Sequence, residues 1–162
     1  MTLGVHFAID EPTADRLRTA ADDDEVALLV EEIENEMLGV DHCDTDKAWD
    51  AIHRSLTDGR LEFENGDYPL NAAILGGVQL HEGDDYIVSL LSPGQVRDVA
   101  TAVEAISREA LETGYRLIDP EDYGPNFGNE DFEYTWSNFG DLVEFFRQSA
   151  VNHMHVIFTV GL

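Results

Sequence analysis

The chain has 162 residues, 43% hydrophobic and 27% charged, which excludes an intrinsically disordered chain and is long enough to bury a core. Its 34 acidic and nine basic side chains give a formal charge of −25, far beyond the roughly 2–8 usual for a small domain, and exclude nucleic acid and anionic membrane, which are bound through Lys and Arg. The single cysteine, Cys43, excludes an intramolecular disulfide.

Residues 3–9 alternate, with Val5, Phe7 and Ile9 on one side, and read as a strand. Asp10 then offers a cap and Pro12 a first turn for a short helix to about Ala21. The acidic run Asp22-Asp23-Asp24-Glu25 suits the positive end of a second helix, over residues 24–38, with Leu29, Ile33 and Met37 spaced by four and Gly39 as its stop. A third helix is expected from Asp44 or Thr45 to Thr57, burying Trp49, Ile52 and Leu56, and Asp58-Gly59 ends it.

Residues 60–68 read as a polar loop or hairpin, and Pro69 opens a helical turn through Leu75 that Gly76-Gly77 breaks. Residues 86–91 are strand formers. Ser92-Pro93-Gly94-Gln95 carries the makings of a capping box for one helix whose stripe is Val96, Val99, Val103, Ile106 and Ala110, ending before Gly114. Residues 115–128 read as irregular. Phe132, Trp136, Phe139, Val143, Phe146 and Ala150 then repeat at helical spacing, and Met154, Val156, Phe158 and Val160 alternate as a last strand. The whole reads as a single domain over 1–162 of α+β class, a small sheet of about three or more strands packed against several helices.

The densest chemistry lies between residues 46 and 53. On a helix, Asp46 and Asp50 are four apart, as are Trp49 and His53. His53 can act as a base near neutral pH, Asp50 can hold a proton or cation, Trp49 can wall a pocket, and Lys47, the one lysine, can anchor an anion. The plainer reading is a capped amphipathic helix with Trp49 buried, Asp50 paired with Arg54, and His53 at an edge where its removal costs little. His42-Cys43 and the pair His153 and His155, two apart on the last strand, carry metal-type atoms. Neither comes with a HExxH or paired CxxC spacing, so no metal site is assigned. No GxGxxG, Walker or GxSxG pattern occurs, so no cofactor is assigned and Gly76-Gly77 is foremost a turn.

Two segments carry a resemblance. The stretch from Asp46 to Gly59, DKAWDAIHRSLTDG, resembles the DKxWDxLHxxLTG signature of the YfbM-like family of uncharacterised bacterial proteins. Pro69 to Gly77, PLNAAILGG, is similar to that family's PLxxAILGG segment. Asp58 is an extra residue relative to the first motif. The resemblance implies an α+β fold and no established activity. It marks Asp46, Lys47, Trp49, Asp50, His53, Pro69, Leu70, Gly76 and Gly77 as signature positions without roles.

Two functions compete. One is a binding protein whose acidic surface meets a basic protein, such as an antagonist that covers a cationic enzyme. The other is a small-molecule binder or enzyme centred on Lys47, Trp49, Asp50 and His53, whose side chains must then converge on one concave pocket. A homo-oligomer is allowed, since the aromatic helix presents an apolar face that something must cover. No basic, apolar leader opens the sequence and no apolar run nears the ~20 residues of a membrane helix, so the cytoplasm is the expected compartment.

Overall fold

The computed structural model describes residues 2–36 and 41–162. The expected Met37 position of the second helix and its Gly39 stop lie outside the described residues. Among those described, five strands form one antiparallel sheet: β1 (Gly4–Ile9), β2 (His42–Asp46), β3 (Val78–Gln79), β4 (Tyr86–Leu91) and β5 (His155–Gly161). Their order across the sheet is β2-β1-β5-β4-β3. The helices are α1 (Glu11–Arg18), α2 (Asp23–Asn35), α3 (Ala48–Leu56), α4 (Pro93–Glu104), α5 (Arg108–Tyr115), α6 (Pro120–Tyr123) and α7 (Asn129–Val151), so the class is α+β.

The sheet is covered on both sides. Phe7, Ile9, Val88, Leu90 and Ile157 face α1 and α2, which bring Leu17, Val26, Leu29 and Ile33 to them. Ala8, Leu91, Val156, Phe158 and Val160 face the opposite layer, built from α3, α4, α5 and α7. A strand covered on both sides has no solvent face, which is why β5 is buried from His155 to Val160. The aromatic helix α7 buries Phe132, Phe139 and Phe146 within this layer, with Trp136, Val143 and Ala150 of the same stripe half-buried beside them.

Local chemistry sets the helix starts. The Asp10 carboxylate accepts from the Thr13 N–H at 2.9 Å, the Asp22 carboxylate from Glu25 at 2.9 Å, and Ser92 and Gln95 form the reciprocal capping box. The helix expected to run on from Ser92 to Gly114 is instead two. Ser107 recaps the chain by accepting from the Ala110 N–H at 3.1 Å, and α5 leaves in a new direction with Leu111 rather than Ala110 buried. Gly114 lies inside α5, not beyond its end. A Cβ there would stand 1.9 Å from the Ser55 carbonyl oxygen, so the glycine lets α5 lie directly on α3.

Two strands have no clear periodic signature. In β2, His42-Cys43-Asp44-Thr45-Asp46, only Cys43 and Thr45 turn inward, and neither is a strongly apolar marker. The helix expected from residue 44 therefore begins only at Ala48. β3 is two residues long.

His6 on β1 is fully buried among Phe145, Phe146 and Phe158, and its Nε2–H donates to the Ala73 carbonyl at 2.8 Å. Burial holds its pKa down to about 4, while the bond to Ala73 opposes that shift. A base with a depressed folded pKa is neutral in the native state while the unfolded chain takes a proton below about pH 6.5. Its contribution to stability is thus complete above that pH and is lost as pH falls toward 4. By pH 5 the loss amounts to about 2 kcal/mol. Denaturant melts at pH 7.5 and pH 5 check this: the wild type is expected to lose more stability over that interval than His6→Gln, and equal losses would refute it.

Candidate functional site

The signature residues are placed by the junction between β2 and α3. Asp46 closes β2 with a positive φ of 51°, its N–H donating to the Asp44 carboxylate at 2.7 Å. Tyr134 of α7 pins this corner: its hydroxyl donates to the Asp46 carboxylate and accepts from the Lys47 N–H at 3.2 Å. The pKa of the Tyr134 hydroxyl is pushed up to about 12, first by desolvation and then by its hydrogen bond to Asp46. Lys47 precedes α3 with its side chain exposed, and its backbone makes the contact to Tyr134.

Trp49 is core. It is 3% exposed, lies against Phe158 with ring centroids 5.8 Å apart, and donates Nε1–H to the Thr2 carbonyl at 3.1 Å. Gly4 makes room for it, because a Cβ on β1 there would stand 2.7 Å from the indole.

Asp50 pairs with Arg54 one turn on, at 2.6 Å. Arg54 is only 5% exposed. It also reaches Asp122 at 2.7 Å, donates to the Gly59 carbonyl at 3.4 Å, and lies 5.6 Å from the centre of the Tyr123 ring. Burial raises the Asp50 carboxyl above its ordinary range against the opposing pull of Arg54. The other partners come from the stretch that reads as irregular, where Tyr115 and Tyr123 both donate to one oxygen of Asp131, at 2.7 and 2.8 Å. No sequence motif joins Arg54 to Asp122 and Tyr123. The signal that was available is Asp119-Pro120, a capped helix start that gives α6 its place.

His53 does not stand at an edge. It is 1% exposed, and its Nε2 faces two acceptors, the Glu62 carbonyl at 2.9 Å and Asn65 Oδ1 at 2.8 Å, so Nε2 carries the proton. Asn65 in turn donates to the Asp58 carboxylate at 2.6 Å and the Arg60 carbonyl at 2.9 Å. Asp58, the extra residue of the motif, thus helps fold the loop over 57–66 onto α3. Its carboxyl is held down to about 2 by the hydrogen bonds from Arg60 and Asn65. Burial lowers the pKa of His53 and its Nδ1 has no partner, so it is a neutral anchor for this loop. The edge position expected for it is overturned by this burial, and its truncation is expected to be costly, because it leaves Asn65 Oδ1 and the Glu62 carbonyl without their donor.

Gly76 and Gly77 lie elsewhere. A Cβ on Gly76 would stand 2.2 Å from Ala72, and Gly77, at φ +83°, has its Cα 's missing substituent facing the Leu90 carbonyl at 2.1 Å. Together they turn the chain from the 3-10 segment Leu70–Ala72 into β3. They line a cleft of about 190 Å³ with Phe63, Tyr68, Asn71 and Gln95, and Tyr68 donates to Asp98 at 2.7 Å. The structure therefore brings Asp46 and Lys47 to one corner, pairs the half-buried Asp50 with the buried Arg54, encloses Trp49 and His53, and leaves the two glycines at a separate cleft. Among the described residues no cleft is lined by Lys47, Trp49, Asp50 and His53 together.

The metal-type pairs are also apart. His42 and Cys43 alternate on β2, with His42 exposed and Cys43 buried, its thiol pushed up to about 12 by burial and so protonated. His153 sits in the turn after α7 at φ 54°, not on β5, while His155 is buried with its Nε2 2.6 Å from Glu11. Among the described residues no three His, Cys, Asp or Glu side chains are disposed to hold a metal ion.

Seven of the eight arginines are held in ion pairs with carboxylates of this chain, as in Arg16–Glu32, Arg108–Glu133 and Arg147–Glu144. Helix α2 has no basic residue at all. Among the described residues no helix is long and apolar enough to cross a membrane.

No curated protein matches the sequence. The crystal structure of YfbM from Escherichia coli, a protein of unknown function, superposes with a TM-score of 0.71 at 23% identity, covering 98% of this chain and 99% of that one. That likeness establishes the fold. A family model described as a domain of unknown function, DUF1877, matches residues 1–159, and the chain belongs to that family.

Proposed function

We propose that the domain is a cytoplasmic, acidic binding module whose partner is a protein with a basic surface, in the manner of an antagonist that covers a cationic enzyme. The observation that carries this is the charge of −25 together with the commitment of seven arginines to internal pairs, which leaves most carboxylates without a neighbouring cation. A surface this negative repels itself and its own copies, and draws a basic partner at association rates up to ~10⁸–10⁹ M⁻¹s⁻¹ at low salt. Among the described residues Lys47 is exposed while Trp49 and His53 are enclosed, so nothing favours the small-molecule reading. The lone, buried Cys43 suits a reducing compartment.

The test is capture from a bacterial lysate at low ionic strength, followed by elution with salt. The expected result is one or a few basic proteins that elute sharply as salt rises and rebind when it is removed. Recovery of no basic protein would overturn the reading.

A further inference from the structure

The sheet has an open edge at β3. Val78 and Gln79 pair with Leu90 and Ser89, and the Leu80 N–H donates to the Val88 carbonyl at 2.8 Å. In an antiparallel ladder the inward bonds fall on alternate residues, so Val78 and Leu80 direct their backbone groups to β4 and Gln79 directs its N–H and C=O outward. Both β3 residues are exposed, Val78 at 56%.

Each side of this edge carries a cleft. On the α1–α2 side, Val78 and Leu80 floor an opening of about 570 Å³ rimmed by Asp22, Asp24 and Glu82. Arg18 also borders it but is already paired with Glu11 and Asp15, and Asp23 is occupied by the N–H groups of Glu82 and Gly83. On the other side, the Gln79 side chain is tied to the Leu75 carbonyl and to Ser89, above the smaller cleft that Phe63 and Tyr68 wall. A strand laid beside β3 sends successive side chains to opposite sides of the sheet. One set therefore enters an acidic cleft with an apolar floor, and the other meets two half-exposed aromatic rings.

We infer that β3 is a docking edge that takes an extended, basic segment of a partner protein as an added strand, with lysine or arginine directed to the Asp22–Asp24–Glu82 side and apolar residues to the Phe63–Tyr68 side. Charge complementarity fixes the occupant as basic, and the outward backbone of Gln79 fixes its conformation as extended. This rests on the reading of the domain as an acidic binder and names the place and form of the contact.

The probe is a blocked octapeptide of alternating lysine and valine, titrated by fluorescence anisotropy at about 50 mM salt. Val78→Lys puts a cation at the mouth of the acidic cleft. Val151→Lys makes the same charge change at an exposed position at the end of α7. Gln79→Pro removes the outward N–H with no change of charge. The expected result is saturable binding, weakened about tenfold or more by Val78→Lys and by Gln79→Pro but no more than about twofold by Val151→Lys. A block-order peptide of the same composition should bind as weakly to the wild type as the alternating one does to Val78→Lys. Melting curves of each variant confirm that it is folded.

Equal weakening by both lysine variants, with Gln79→Pro unaffected, would overturn the docking edge while leaving the acidic-binder reading in place. Failure of the alternating peptide to bind at low salt would overturn it too. Edge-specific peptide binding alongside a lysate that yields no basic protein would instead sink the functional reading and keep the edge.

Discussion

Trp49→Ala is expected to lower the unfolding free energy by about 3–5 kcal/mol, the cost of a large truncation in a packed interior. Three contacts vanish together: the indole's packing on Phe158, its fit over Gly4, and the Nε1–H bond to the Thr2 carbonyl. The site can collapse only by moving β1 toward α3, and β1 is fixed by its pairing to both β2 and β5. Lys47→Ala, two residues away, is expected to change stability by less than about 0.5 kcal/mol, since its engaged atom is a backbone nitrogen that alanine also carries. Urea melts of the two variants decide the matter. A loss below about 1 kcal/mol for Trp49→Ala would show that the indole is not a core element.

Arg54→Met is expected to cost about 3 kcal/mol at neutral pH, as removal of one partner of a buried ion pair does. Asp122 is largely exposed and can turn to water, whereas Asp50 is left half-enclosed with no cation. The cost should shrink as pH falls. The folded pKa of Asp50 is raised, so the native state takes up its proton before the unfolded chain does, and a protonated carboxyl needs no cation. Adding Asp50→Leu to Arg54→Met should restore most of the loss, because replacing a buried pair by apolar residues is often neutral. Denaturant midpoints of the single and double variants at pH 7.5 and pH 5 measure both effects. A penalty equal at the two pH values, or unrelieved in the double variant, would refute the account.

The elements legible in the sequence are those whose chemistry is local. Asp10 and Ser92 cap because the acceptor and the N–H are three residues apart, and Val5-Phe7-Ile9 and Val156-Phe158-Val160 alternate because each faces one helical layer. The class and the family resemblance were legible for the same reason. The strand β2 was not, because its inward residues are a cysteine and a threonine and its identity comes from pairing with β1. The break at Ser107 was hidden because Val96, Val99, Val103, Ile106 and Ala110 keep helical spacing straight across it. In the candidate site, the Asp50–Arg54 pair follows from i,i+4 spacing, but the enclosure of His53 depends on Asn65, whose loop shows no periodicity. The clefts beside β3 join residues as distant as Asp24 and Glu82, which no linear reading brings together.

The central strand of the sheet, β5, is paired on one side with β1 and on the other with β4, so Val5 meets Thr159 and Val88 meets the same residue from across. During synthesis the two halves, β2–β1 and β4–β3, must wait apart until residues 155–161 emerge from the ribosome. Their inner edges are then bare apolar strands, open to self-pairing. A chain assembled from contacts this distant folds slowly, and the dense negative charge keeps the waiting halves from finding one another's neighbours. The carboxylates that give the finished molecule its charge of −25 thus also oppose aggregation before it is finished.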